Sequence, residues 1–203
     1  MLIVTSNGGV YEMGTQRILR FLAVFAVTWF ILTWLMGCSG CLPNIDQPAG
    51  ADECENSLGN VACDFAMMNQ EGKTETLYDH HGKVIILDFS AMWCGPCQIA
   101  ALDADEIVEK YGAENVVYIT VLIENASGND PRLKDLQTWS ENLGVHNNPV
   151  LASNREWLRD SGYFLEAWPT FYIITPTMVI KEYQRGYRKY DLEEAVEGLL
   201  NAG

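Results

Sequence analysis

Two cysteines separated by two residues, Cys94-Gly95-Pro96-Cys97, stand where an apolar run hands over to a helix-forming one. That junction constrains the chain more than any other feature. Val84-Ile85-Ile86-Leu87-Asp88-Phe89 reads as a buried strand. Gln98 to Tyr111 reads as a helix, with Ile99, Leu102, Ile107 and Val108 as its apolar positions. A C-x-x-C pair at such a turn is placed for thiol–disulfide exchange. The helix N-terminus carries partial positive charge, which favours the attacking thiolate over the thiol.

The rest of the chain supplies a fold around this turn. Val116 to Ile123 is a second, nearly continuous apolar run, so strand, helix and strand predict a parallel pair covered on both faces, an α/β architecture. Val61 to Met68 and Thr74 to Tyr78 have strand character ahead of it. Pro131 is expected in the first turn of a helix that ends at Gly144, and Asn154 to Ser161 reads as a short helix capped by Asn154. Phe171 to Thr175 and Met178 to Tyr183 read as a hairpin around Pro176, and Asp191 to Asn201 as a closing helix capped by Asp191. The His80-His81 dipeptide reads as an exposed loop rather than a metal site, because no further ligand sits at suitable spacing on the same element.

The start of the chain reads as an export signal. Arg17 and Arg20 precede Phe21 to Met36, an apolar core too short to span a bilayer comfortably and suited to a signal peptide. Leu35-Met36-Gly37-Cys38 resembles the lipobox of bacterial lipoproteins, with Cys38 as the acylated residue. Residues 1–37 are therefore expected to be a signal peptide, with Met13 an alternative start, residues 38–60 a flexible tether, and residues 61–203 the folded domain. Losing the first 37 residues removes two basic residues and one acidic one, so the formal charge of −14 becomes −15. That surface argues against nucleic acid as a partner.

Export makes disulfides persistent. Beyond Cys38 the chain carries Cys41, Cys54, Cys63, Cys94 and Cys97. Cys94 and Cys97 form the redox pair, and Cys54 with Cys63 can staple the segment leading into the fold. Pairing of Cys41 with Cys54 or with Cys63 is the alternative. The spacing between the Cys38–Cys41 and Cys94–Cys97 pairs is far longer than zinc ribbons use, so no metal and no cofactor are expected. Cys94, first in the pair and at the helix start, is the expected nucleophile. Cys97 then resolves the mixed disulfide. Asp88, among apolar neighbours six residues before Cys94, is expected to be buried, with a raised pKa that lets it accept the proton of Cys97.

From about Val61 onward the chain resembles the thioredoxin superfamily. Leu87 to Cys97 carries the active-site motif, Trp168-Pro169-Thr170 stands where that family has its cis-proline, and Gly186 follows the last strand. The longer segment before Pro169 and the leader Ala62-Cys63-Asp64-Phe65 are similar to the membrane-anchored TlpA/ResA group. The resemblance implies a thioredoxin fold: a central mixed β-sheet flanked by helices, with an N-terminal β extension and an inserted helix before the cis-proline. It implies that Pro169 faces the cysteines, and that Trp93, Gly95, Pro96, Trp168 and Thr170 meet the substrate. It also implies an extracytoplasmic oxidoreductase, lipid-anchored in the bacterial envelope with its domain facing the periplasm or extracytoplasmic space. Its partners would be exported proteins with disulfides and an upstream thiol reductant, with cytochrome c maturation among the roles of that group. A monomer is expected. The chain departs from the pattern at Ser90, Gln98, Leu102 and Trp168, and Asp88 follows thioredoxin where the TlpA/ResA group more often has Asn. The P-x-x-x-T-x-x-C pattern of peroxidatic relatives is absent. A metallochaperone or non-catalytic binding module is the alternative, with His146 as its one candidate distant ligand.

Overall fold

The computed structural model describes residues 47–202. The signal segment, Cys38 and Cys41 lie outside the described residues. Seven strands form one mixed sheet: β1 (Ala66–Asn69), β2 (Thr74–Thr76), β3 (Val84–Ala91), β4 (Val116–Glu124), β5 (Val150–Ala152), β6 (Thr170–Ile174) and β7 (Ile180–Arg185). The helices are α1 (Gly95–Tyr111), α2 (Leu133–Leu143), α3 (Arg155–Asp160) and α4 (Lys189–Leu200). The sheet order is β2-β1-β5-β4-β3-β6-β7. β3, β4 and β5 run parallel, while β1, β6 and β7 pair antiparallel to their neighbours. Among the described residues no helix is long and apolar enough to cross a membrane.

Every residue of β3 and β4 is buried, which is why both read as nearly continuous apolar runs. The two-residue period of a strand then divides their side chains between two cores. Ile85, Leu87 and Phe89 meet Phe65, Tyr163 and Tyr172 on one face. Val84 and Ile86 meet Ala100, Ala104, Ile107, Leu192 and Val196 on the other, under α1 and α4.

Several boundaries differ from the sequence expectation, each for a tertiary reason. α1 packs through Cys97, Ala100, Ala101 and Ala104 in its first turns and through the expected Ile107 and Val108 further on, whereas Ile99 and Leu102 stand 57% and 60% exposed. α2 begins at Leu133 rather than Pro131, because Arg132 N–H donates to Asp135 Oδ2 at 2.8 Å. α4 begins at Lys189, with Arg188 at its cap and Asp191 in its first turn, paired to the Arg188 guanidinium. His80 is not a free loop residue: its Nε2 lies 3.0 Å from Glu75 Oε1, and both side chains are largely covered.

Of the expected tether, residues 38–46 lie outside the described residues. Residues 47–60 are folded onto the domain, with Gly59 N–H donating to the Ile180 carbonyl at 2.8 Å and Ile180 N–H returning to Asn60 at 2.9 Å. Cys54 and Cys63 are joined by a disulfide. Inside that loop Asn56 donates to the Ser161 carbonyl at 2.7 Å and accepts from Cys63 N–H at 2.8 Å. Gly and Pro content alone made this stretch read as linker; its order comes from the staple and from β7.

Candidate active site

Cys94 caps α1. Its Sγ accepts from Cys97 N–H at 3.2 Å, and Gly95 and Pro96 form the first helical positions. Pro suits this place because its missing N–H would have had no intrahelical partner. Cys94 and Cys97 are joined as a disulfide, so the structure shows the oxidised state. Cys94 retains 5% exposure and Cys97 none, so an incoming sulfur can reach only the first. Both sit in an apolar cluster with Ala91, Ala101, Leu122, Leu136 and Trp139.

Asp88 lies on the α1 face of β3, between Ile86 and Ser90, and is fully buried. Ser90 Oγ donates to its Oδ1 at 2.8 Å and Tyr118 donates to its Oδ2 at 3.0 Å. Burial pushes its carboxyl up to about 7, against these two bonds, which favour the charged form. Thr120 stands level with Asp88 on β4, and its buried Oγ1 has no hydrogen-bond partner among the described residues. A small polar group is thus enclosed beneath the helix that carries the cysteines.

The Trp168–Pro169 peptide bond is cis. The β3–β6 register sets Phe89 against Thr170, which brings Pro169 to the motif end of the sheet. Gly186 N–H donates to the Pro169 carbonyl at 2.8 Å from a left-handed backbone (φ 68°), and Thr170 Oγ1 donates to the Ala167 carbonyl at 2.8 Å. Trp168 packs against the cluster containing both cysteines and meets Trp93 edge to face, with ring centroids 6.3 Å apart. Trp93 is 48% exposed, and Gln98 donates to the Met92 carbonyl at 2.8 Å.

Several site residues were not singled out from sequence. Glu124, at the end of β4, accepts from Trp93 Nε1 at 2.7 Å and pairs with Arg155. The Arg155 guanidinium holds the Glu124 carboxyl below the usual range. Its only sequence signal was an acidic residue closing an otherwise apolar run. Tyr118 gave none, since a tyrosine inside a buried strand reads as core. His146 is exposed in the loop after α2, with its backbone N–H on Asp105 Oδ2 at 3.0 Å. Among the described residues no group of three or more His, Cys, Asp or Glu side chains is gathered to hold a metal ion.

A buried resolving thiol, a rim-exposed thiol at a helix start and an acid poised near neutrality can together carry out thiol–disulfide exchange. Residues 58–183 match the AhpC/TSA family. A thioredoxin of Coprinus comatus is 48% identical over 46 residues, which cover 23% of this chain and 43% of that protein. The thiol-disulfide oxidoreductase ResA of Geobacillus thermodenitrificans is 24% identical over 144 residues, covering 70% of this chain and 78% of the relative. Among solved structures, the exposed lipoprotein thioredoxin Etrx1 of Streptococcus pneumoniae is 28% identical, with a TM-score of 0.56 over 68% of this chain and all of that one.

Proposed function

The chain belongs to the AhpC/TSA family, in its thioredoxin-like part, and from that premise we propose that it is an extracytoplasmic thiol–disulfide oxidoreductase that reduces disulfides in exported proteins. The observation that carries the reading is the closed Cys94–Cys97 pair at the start of α1, with Cys94 at the rim and Cys97 enclosed.

In the reduced protein the Cys94 thiolate attacks one sulfur of the substrate disulfide. An S–S bond forms between Cys94 and the substrate, and the other substrate sulfur leaves as a thiolate. Cys97 loses its proton to the Asp88 carboxylate, which burial has made basic enough to take it near neutral pH. The Cys97 thiolate attacks Cys94 Sγ, and the second substrate sulfur is released. The substrate gains two electrons, and its two thiolates are protonated by the proton Asp88 took from Cys97 and by one from water, while the protein returns to the disulfide form. An upstream dithiol must then reduce it again. Pro169 and Thr170 offer the extended backbone beside which a substrate strand lies, walled by Trp93 and Trp168. Gly95 and Pro96 complete the contact surface.

The envelope address rests on the apolar leader, the lipobox at Cys38 and the likeness to a protein described as an exposed lipoprotein thioredoxin. The Cys54–Cys63 disulfide suits the same address. Reduction of insulin by the dithiol form tests the chemistry: Cys94→Ser should abolish it. Cys97→Ser should accumulate a mixed disulfide with exported proteins, and an apocytochrome among them would favour the maturation role. Retention of insulin reduction by Cys94→Ser would remove the proposal. Incorporation of labelled palmitate, lost in Cys38→Ala, tests the anchor.

A further inference from the structure

We infer that Glu124 and Arg155 are positioning residues that fix Trp93 as a wall of the substrate cleft and so set how tightly polypeptide disulfides bind. The inference rests on the oxidoreductase reading and adds to it a source of substrate selectivity.

Glu124 is 6% exposed, and both its carboxylate oxygens are used. Oε2 accepts from Trp93 Nε1 at 2.7 Å, and Oε1 accepts from Arg155 Nε. Its backbone carbonyl accepts from Met92 N–H at 2.9 Å. One residue therefore grips the two positions immediately before Cys94, through main chain and side chain together. The sheet is irregular in a way that makes this possible. Ser90 lies against Leu122, yet the next residue, Ala91, lies against Glu124, so Ile123 is passed over in the register. Arg155 has a side chain that is 63% exposed, but its backbone is anchored. It is the first residue of α3, whose cap Asn154 accepts from Trp157 N–H at 2.8 Å, and Ser153 N–H before it donates to the Leu122 carbonyl at 2.9 Å.

Burying a carboxylate is costly unless it is paired and hydrogen-bonded, and an apolar residue would close a strand end with less penalty. The arrangement makes sense if the orientation of Trp93 matters. Held by Glu124, the indole presents its edge-to-face contact to Trp168, the residue before Pro169, which itself packs against the cysteine cluster, so the two rings stand as a pair beside the disulfide. Released, the indole can turn over the cleft. A long polypeptide that must lie along Pro169 depends on this wall throughout its contact, so the effect is expected in KM.

The test uses the full chain, with Glu124→Leu, Glu124→Gln, Arg155→Ala and Arg155→Lys compared for insulin reduction and for the 15N-indole resonance of Trp93. Glu124→Leu should raise KM for insulin about tenfold, as expected when one charge-assisted hydrogen bond is lost, with a much smaller change in kcat. It should also move the Trp93 indole resonance and speed its exchange with water. Glu124→Gln and Arg155→Ala should fall between, and Arg155→Lys should restore KM. A fall in kcat with KM held, or a Trp93 resonance that stays put in Glu124→Leu, would overturn the inference. The resonance decides the positioning even if the wild-type chain fails to reduce insulin, a failure that would instead strike the oxidoreductase reading.

Discussion

Tyr118 donates its phenolic O–H to Asp88 Oδ2 at 3.0 Å across the β3–β4 pair, and both side chains are fully buried. The phenol is itself held far from ionising, first by burial and then by the nearby carboxylate. Tyr118 therefore serves Asp88 as a fixed donor over the whole working range. With Ser90 it makes ionisation of an enclosed acid feasible near pH 7 without making it easy.

Asp88→Asn should stabilise the protein at alkaline pH while slowing turnover. An unfolded Asp ionises near pH 4, whereas the folded carboxyl does so at about 7. Between those values the native state holds a proton that the unfolded state has released, so stability falls as pH rises through the window and is lowest above it. At about 1.4 kcal/mol per unit, the upper bound is on the order of 4 kcal/mol. Urea unfolding of the oxidised protein at pH 4, 6 and 8 should show the variant gaining on wild type with pH, while insulin reduction at pH 7 drops. Parallel stability curves would contradict the assignment.

Tyr118→Phe should move the pH dependence of insulin reduction upward. Loss of the 3.0 Å bond removes stabilisation of the charged carboxylate and leaves Ser90 as its remaining donor among the described residues. If Asp88 accepts the proton of Cys97 as proposed, the rising limb should shift by about one pH unit. A limb that stays in place would mean another group takes that proton.

Cys54→Ala/Cys63→Ala should weaken the fold and spare the chemistry. The closed loop spans nine residues of separation, and releasing it costs on the order of 3 kcal/mol in chain entropy. For a domain of this size that is a fall in Tm of roughly 6–12 °C. Hydrogen exchange should rise first at Gly59, whose N–H reaches Ile180, while insulin reduction at room temperature holds.

How much of this was legible in the sequence depended on whether a signal was local. β3, β4 and the turn between strand and α1 were readable because apolar runs and the C-x-x-C spacing are properties of neighbouring residues. The Asn154 cap was readable for the same reason, its donor, the Trp157 N–H, being three residues away. Ile107 and Val108 are buried as their spacing suggests, whereas Ile99 and Leu102 misled because the first turns of α1 bury Cys97, Ala100, Ala101 and Ala104 instead. Residues 47–60 misled because their partners lie at Ser161 and Ile180, more than a hundred positions away. Glu124, Arg155 and Tyr118 join the site through contacts 30 or 31 residues apart, which leave no periodic trace in the sequence.

Trp168→Ile should test what an aromatic residue does before the cis-proline. Isoleucine keeps an apolar filler against the cysteine cluster but cannot meet Trp93 edge to face. The lost ring contact is worth about 0.5–1.5 kcal/mol. Two effects should appear together. Iodoacetamide should alkylate Cys94 faster in the reduced variant, because one side of the cleft is thinner. The KM for insulin should rise, because the wall along which a polypeptide lies is incomplete. If alkylation and KM both match wild type, Trp168 only fills space beside the disulfide, and the selectivity of the cleft must come from Trp93 alone.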